Sequence, residues 1–262
     1  MKISIVQMNM KLADPDYNFI HAENLIKRAS LEKPDVIMLP ETWNTGFFPN
    51  ENLAGLSDTD GAKTKTLVSR LARETHTNII AGSVSNQRDN KIFNTAFVFD
   101  REGQCLGSYD KIHLFSPMGE DKAYEKGNHL LTFDFDGQRC GIMICYDIRF
   151  PELARTLSLK DIEILFVVAQ WPGIRQYHWQ TLLRARAIEN QLFLAACNSC
   201  GTAGETVYGG YSCLLDPWGD VIKKAGKGEE IITGEFDFSV LKDIRSSINV
   251  FNDRRPELYK KF

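Results

Sequence analysis

No apolar run in these 262 residues approaches the roughly 20 needed to cross a bilayer, so no membrane partner is expected. A charge excess of one sign is also missing. The 31 Lys and Arg residues against 34 Asp and Glu leave a net charge of −3, which argues against a nucleic-acid partner. Lys223-Lys224 and Arg254-Arg255 are isolated pairs and read as solvated faces or an interface. Linkers rich in Pro, Gly or Ser, low-complexity stretches and internal repeats are absent, so one domain over residues 1–262 is expected. The opening Met1-Lys2-Ile3-Ser4-Ile5-Val6-Gln7-Met8 has too short an apolar run for a secretory signal and no small-residue cleavage site. It reads as a buried first strand of a cytoplasmic protein. GxSxG, HExxH and Walker-type sequences are missing too, and the loop glycines Gly201, Gly204, Gly209 and Gly210 form no phosphate cradle.

Cysteine is not scarce, but it has little to pair with. Without an export signal, the six cysteines read as reduced thiols. Cys197-Asn198-Ser199-Cys200 ends an apolar strand, whereas a redox CxxC opens a helix. A zinc site there would need two more ligands, and only Cys213 is near in sequence. No metal and no cofactor are therefore expected.

The hydrophobic pattern alternates between the strand and helix periods. Strands are expected at 2–8, 36–39 and 78–82, and helices at about 16–31 and 61–75. A hairpin fits 92–99 with 104–109, and Asp136-Gly137 marks a second one joining 130–135 to 138–144. A helix from Pro151, the apolar run Ile162–Val168 and a helix at about 175–190 follow. Further strands fit 192–197, 207–215, 220–224 and 230–235, and the tail 248–262 is polar. Continuous apolar strands imply burial on both faces. Two strand-rich halves with few helices each predict an α/β fold, a four-layer α-β-β-α sandwich of two packed sheets with outer helices. A single doubly wound sheet is the alternative.

Three strand ends carry polar groups. At Gly141-Ile142-Met143-Ile144-Cys145-Tyr146-Asp147 an apolar strand stops at a cysteine, and Pro151 then suits a helix start. A thiol on such a bend lies near backbone N–H groups able to stabilise an oxyanion, although a buried apolar cysteine fits the same pattern. In Leu39-Pro40-Glu41-Thr42-Trp43 a carboxylate follows a strand. A desolvated carboxylate there gains basicity towards a thiol, whereas a solvated one only caps or decorates a loop. In Tyr109-Asp110-Lys111-Ile112-His113 the ammonium of Lys111 either turns inward to negative charge or lies on the surface with its stem packed. His113 reads as structural.

Together these segments resemble the nitrilase superfamily of carbon–nitrogen hydrolases, in its omega-amidase-like branch. The resemblance covers nearly the whole chain. It rests on Leu39-Pro40-Glu41, Asp110-Lys111-Ile112-His113-Leu114, Ile144 to Glu152, and Arg184-Ala185-Arg186-Ala187-Ile188-Glu189-Asn190. Lys160-Asp161 and Val168-Ala169-Gln170 depart from the usual pattern, at positions bearing on substrate choice. The resemblance implies that Cys145 is the nucleophile, Glu41 the general base and Lys111 the cation facing the tetrahedral intermediate. It implies a second acid, Glu120 rather than Glu125, and an oxyanion hole completed by the Tyr146 N–H. It further implies a small linear amide as substrate and a homodimer. N-carbamoyl compounds, nitriles, or a catalytically silent binding module are the alternatives on the same scaffold.

Substrate contacts are expected from Trp43, Phe115, Gln170, Trp171 and Arg175. Phe47, Phe48 and Tyr177 are further candidates for apolar walls. Arg149, Arg175 and His178 are candidates for a substrate carboxylate, with a structural ion pair the expectation for Arg149.

Overall fold

A computed structural model describes residues 1–47, 49 and 51–259. The first sheet contains β1 (Lys2–Gln7), β2 (Val36–Met38), β3 (Asn78–Arg88), β4 (Lys91–Phe99) and β5 (Cys105–Asp110). The second contains β6 (Thr132–Phe135), β7 (Gln138–Ile144), β8 (Ile164–Ala169), β9 (Phe193–Asn198), β10 (Cys213–Leu215) and β11 (Val221–Lys224). The last strand, β12 (Glu230–Glu235), returns to the first sheet and lies antiparallel beside β1. Strand orders are β12-β1-β2-β3-β4-β5 and β11-β10-β9-β8-β7-β6. Each sheet has two parallel steps, β1–β2–β3 and β7–β8–β9, flanked by antiparallel neighbours. Read from β6 outward, the second sheet repeats the first sheet's sequence of pairings, a duplication invisible in the residues themselves.

Side-chain alternation explains the layers. Ile3, Ile5, Val36, Met38, Ile80, Ala96 and Val98 face the second sheet, whose Ile142, Ile144, Phe166 and Val168 belong to the same core. Val6, Ile37, Leu39, Ile79, Ala81, Phe97 and Phe99 point the other way, onto α1 (Pro15–Ser30) and α2 (Ala62–Thr75). Leu153 and Leu157 of α3 (Pro151–Ser158) and Trp179, Leu183 and Ala187 of α4 (Gln176–Asn190) cover the second sheet. The result is the four-layer α-β-β-α sandwich. Helix α1 starts where Asp14 accepts the Tyr17 N–H at 3.1 Å and Pro15 takes the first helical position.

Three expectations change. The strand at 78–82 runs on to Arg88 and turns directly into β4 through Asp89-Asn90, both left-handed at φ 49° and 59°. Two such residues make the hairpin turn that suits twisted strands. The span 207–215 is broken: Gly210 and Tyr211 are left-handed, and strand geometry resumes only at Cys213. The segment Ser239–Ser247, given no element above, forms α5, which buries Leu241 and Ile244.

Gly82 sits in a bulge of β3 at φ +64°, and a Cβ there would lie 2.1 Å from the Pro40 carbonyl oxygen. That close approach sets where the chain leaves β2 and delivers Glu41.

Candidate active site

β7 ends at Ile144, and Cys145 turns the chain at φ +47° into a single 3₁₀ turn, Cys145–Arg149. A non-glycine residue in that conformation costs about 1–2 kcal/mol. It persists where neighbours over-determine it, and here Asp147 does so. One Asp147 oxygen accepts the Ile144 N–H at 3.0 Å and the Tyr109 hydroxyl at 2.7 Å. The other accepts the His113 backbone N–H at 3.0 Å and its ring Nδ1 at 2.8 Å. A carboxylate only accepts, so His113 carries its proton on Nδ1. With its ring stacked on Phe150, His113 is a strut between the lysine and cysteine segments. Asp147 thus joins two of the three strand ends. Its signal in the sequence is an acid two residues past the strand-ending cysteine.

Glu41, Lys111 and Glu120 meet with no solvent exposure at all. Lys111 Nζ donates to Glu41 Oε1 at 2.7 Å and to both Glu120 oxygens at 2.8 Å. Asn94 Nδ2 bridges the same carboxylates, at 2.8 Å to Glu41 and 3.1 Å to Glu120. The Phe115 N–H holds Glu120 at 2.6 Å, and the Gln170 N–H holds Glu41 Oε2 at 2.7 Å. Asn94 is a site residue absent from the expectations above; its sequence signal is that Asn94-Thr95 interrupts an apolar strand, as polar groups do when they serve a buried partner. Glu125 instead lies outside, 3.6 Å from Lys91.

Burial opposes the charge on Lys111, but Glu120 and Glu41 outweigh it and hold the ammonium's pKa well above the usual lysine range. Burial pushes Glu120 upward despite Lys111. Cys145 lies against this group. Burial, then the Glu41 charge, drives its thiol well above the ordinary range, with Lys111 pulling the other way. The resting site therefore holds a thiol, and a base must remove its proton as the sulfur attacks.

Above the cluster is a small cavity lined by Phe47, Phe115, Met118, Cys145, Tyr146, Arg149, Gln170, Trp171, Pro172 and Arg175. It brings Phe115, Tyr146, Gln170, Trp171 and Arg175 together with Cys145. Trp43 is a correction. Thr42 is left-handed at φ +38°, so the following side chain swings to the helix side of the sheet. There Trp43 packs edge-on against Phe19 and donates to the Ala81 carbonyl at 2.6 Å. Tyr177 is exposed and is not among the lining residues. Phe48 lies outside the described residues. Arg149 is a second correction: among the described residues it has no carboxylate partner. Its guanidinium lies over Trp171 at 4.8 Å and contacts His178 Nδ1 at 3.2 Å. Arg175 is likewise held over an aromatic face, Phe115 at 5.3 Å. Aromatic faces orient a cation without neutralising it.

Cys197 and Cys200 are unpaired and buried, their Sγ atoms directed to the Val6 and Gln7 carbonyls. Among the described residues no group of three or more His, Cys, Asp or Glu is arranged to hold a metal ion.

A sandwich of this kind with thiol, carboxylates and ammonium at its strand ends has close counterparts. The carbon–nitrogen hydrolase family model matches residues 2–246. A 2-oxoglutaramate amidase of Bacillus subtilis is 39% identical over 98% of this chain and 98% of its own. An omega-amidase of Homo sapiens is 31% identical over 98% of this chain and 96% of its own. A solved CN-hydrolase superfamily protein from Xanthomonas campestris, carrying an arsenic adduct in its active site, superposes with a TM-score of 0.91. That structure is 30% identical, with 97% of each chain covered. The chain belongs to the carbon–nitrogen hydrolase family, and it is a hydrolytic enzyme.

Proposed function

We propose that the protein hydrolyses the terminal amide of a small linear dicarboxylic monoamide, an omega-amidase reaction, through a thioester on Cys145. The observation that carries this reading is the convergence of Glu41, Lys111, Glu120 and Cys145 beneath one cavity whose walls hold two arginines. The names of the amidase relatives support the same substrate class.

The chemistry follows from the groups. As Cys145 Sγ attacks the amide carbon, its proton passes to Glu41, and the carbonyl π electrons move to oxygen. Lys111 and the Tyr146 N–H face that oxyanion. Glu41 then gives the proton to nitrogen, the C–N bond breaks, and ammonia leaves a thioester. Water attacks next, losing a proton to Glu41. The S–C bond breaks, and the departing sulfur is reprotonated. Glu120 positions Lys111 through its two-oxygen grip. The carboxylate at the substrate's far end pairs with Arg149, which lines the cavity without an acidic partner among the described residues, and Arg175 adds a second cation at the same wall.

Ammonia release over a panel of amides tests this. Monoamides carrying a distal carboxylate should far exceed neutral amides, N-carbamoyl compounds and nitriles of equal length. Silence across the monoamides, with release from another member of the panel, would sink the reading.

The whole chain is read as one domain, because β12 from the far end closes the first sheet on β1. A homodimer is read from an exposed apolar patch. Ile188 on α4 adjoins the Trp218-Gly219 turn, both large side chains are about half exposed, and Val221 lies nearby. A cytoplasmic setting suits the six unpaired cysteines. No helix among the described residues is long and apolar enough to cross a membrane.

A further inference from the structure

A residue that lines the cavity beside Cys145 carries an acceptor that the steps above leave unused. Gln170 is 2% exposed and lines the cavity beside Cys145. Its Nε2 donates to the Glu41 carbonyl and to Thr42 Oγ1, each at 2.7 Å. Those bonds fix the side-chain amide, because a flipped one would set Oε1 against the Glu41 carbonyl oxygen. Oε1 is then buried with no hydrogen-bond partner among the described residues. Such a group costs roughly 1–3 kcal/mol, which a donor brought by the substrate would recover.

Resting on the amidase reading, we infer that Gln170 Oε1 accepts an N–H of the substrate carboxamide and of the departing ammonia, making Gln170 the residue that selects amides over esters and nitriles. The amide nitrogen brings two donors and must turn its lone pair towards the proton on Glu41. The same residue holds that acid, since the Gln170 backbone N–H donates to Glu41 Oε2 at 2.7 Å. One side chain and its own backbone therefore set the relative placement of leaving nitrogen and proton donor. When nitrogen takes the proton its N–H groups become charged donors, so the bond to Oε1 strengthens as the C–N bond breaks. An ester oxygen or a nitrile nitrogen brings no hydrogen to Oε1 and leaves it unpaired.

The test compares kcat/KM for the monoamide of a four-carbon dicarboxylic acid with that for the methyl ester of the same acid. Gln170→Met keeps the backbone N–H and removes the acceptor. It should lower amide turnover more than ester turnover, by about tenfold or beyond, the value of one buried hydrogen bond. Gln170→Asn keeps both the acceptor and the donor of a side-chain amide and should hold the amide-to-ester ratio closer to the wild type than any change that removes the acceptor; it decides alone if the Met variant does not fold. Equal losses on amide and ester, with amide turnover intact in the wild type, would mean that Gln170 acts only on structure and would overturn this role alone. A wild-type enzyme that cleaves the ester but no amide would overturn the amidase reading as well.

Discussion

Lys111 is the residue on which the buried charges balance. One ammonium faces two carboxylates in a space closed to water. Lys111→Met strips both acids of their partner, and breaking a buried pair from one side costs about 3–5 kcal/mol. Denaturant unfolding should register a loss of that size. The pH dependence has a definite sign. Because the folded state raises the Lys111 pKa, its stabilising share is fully present below the unfolded value of about 10.4 and disappears as pH climbs through the folded one. Wild-type stability should therefore fall more steeply above pH ~10.4 than that of Lys111→Met. A Met variant with the wild-type alkaline profile would show that the ammonium is not the group responsible. At Cys145 the raised thiol makes the base indispensable. Glu41→Gln should reduce kcat by about 10²–10⁴, and Cys145→Ala should abolish ammonia release together with any acyl adduct in the intact mass. Full turnover by Cys145→Ala would refute the thioester route.

At the scale of elements, the site depends on how strands end. Gly82 lets β3 pass under the Pro40 carbonyl, and no side chain fits that gap. Gly82→Ala should lower the thermal midpoint, through a cost of about 1–3 kcal/mol, and weaken kcat by displacing Glu41. A variant with unchanged midpoint would mean that the backbone can move aside. The same scale accounts for what could be read from residues alone. The strand-ending Glu41, Lys111 and Cys145 are legible because each is a polar or reactive group set at the end of a strand, two of them after continuous apolar runs. Glu120 did not break any pattern and came only from the family resemblance. Trp43 misled because one left-handed residue, Thr42, reverses which face the next side chain takes, and nothing in Glu-Thr-Trp signals that. Asn94 and Asp147 were legible in principle as polar interruptions. The span 207–215 is not one strand because left-handed Gly210 and Tyr211 turn the chain inside an otherwise strand-like run. Helix α5 is short and lies in a polar stretch, where its Leu241 and Ile244 stripe is easily missed.

For the whole molecule, the exposed patch around Ile188 and Trp218 has a direct consequence. Light scattering at micromolar protein should give twice the 29.7 kDa chain mass. Trp218→Lys should shift that value towards the monomer by burying an uncompensated charge at the contact. A wild-type monomer would remove the patch as an argument for pairing. The repeated order of strands has a different consequence. Glu41, Lys111 and Glu120 come with one sheet, and Cys145 and Gln170 with the other. Cutting the polypeptide near Asn128 would leave one piece with the acids and the ammonium and another with the sulfur, each chemically idle. Catalysis would return only when the pieces reassociate, so recovered ammonia release would serve as a reporter of docking between two separately expressed fragments.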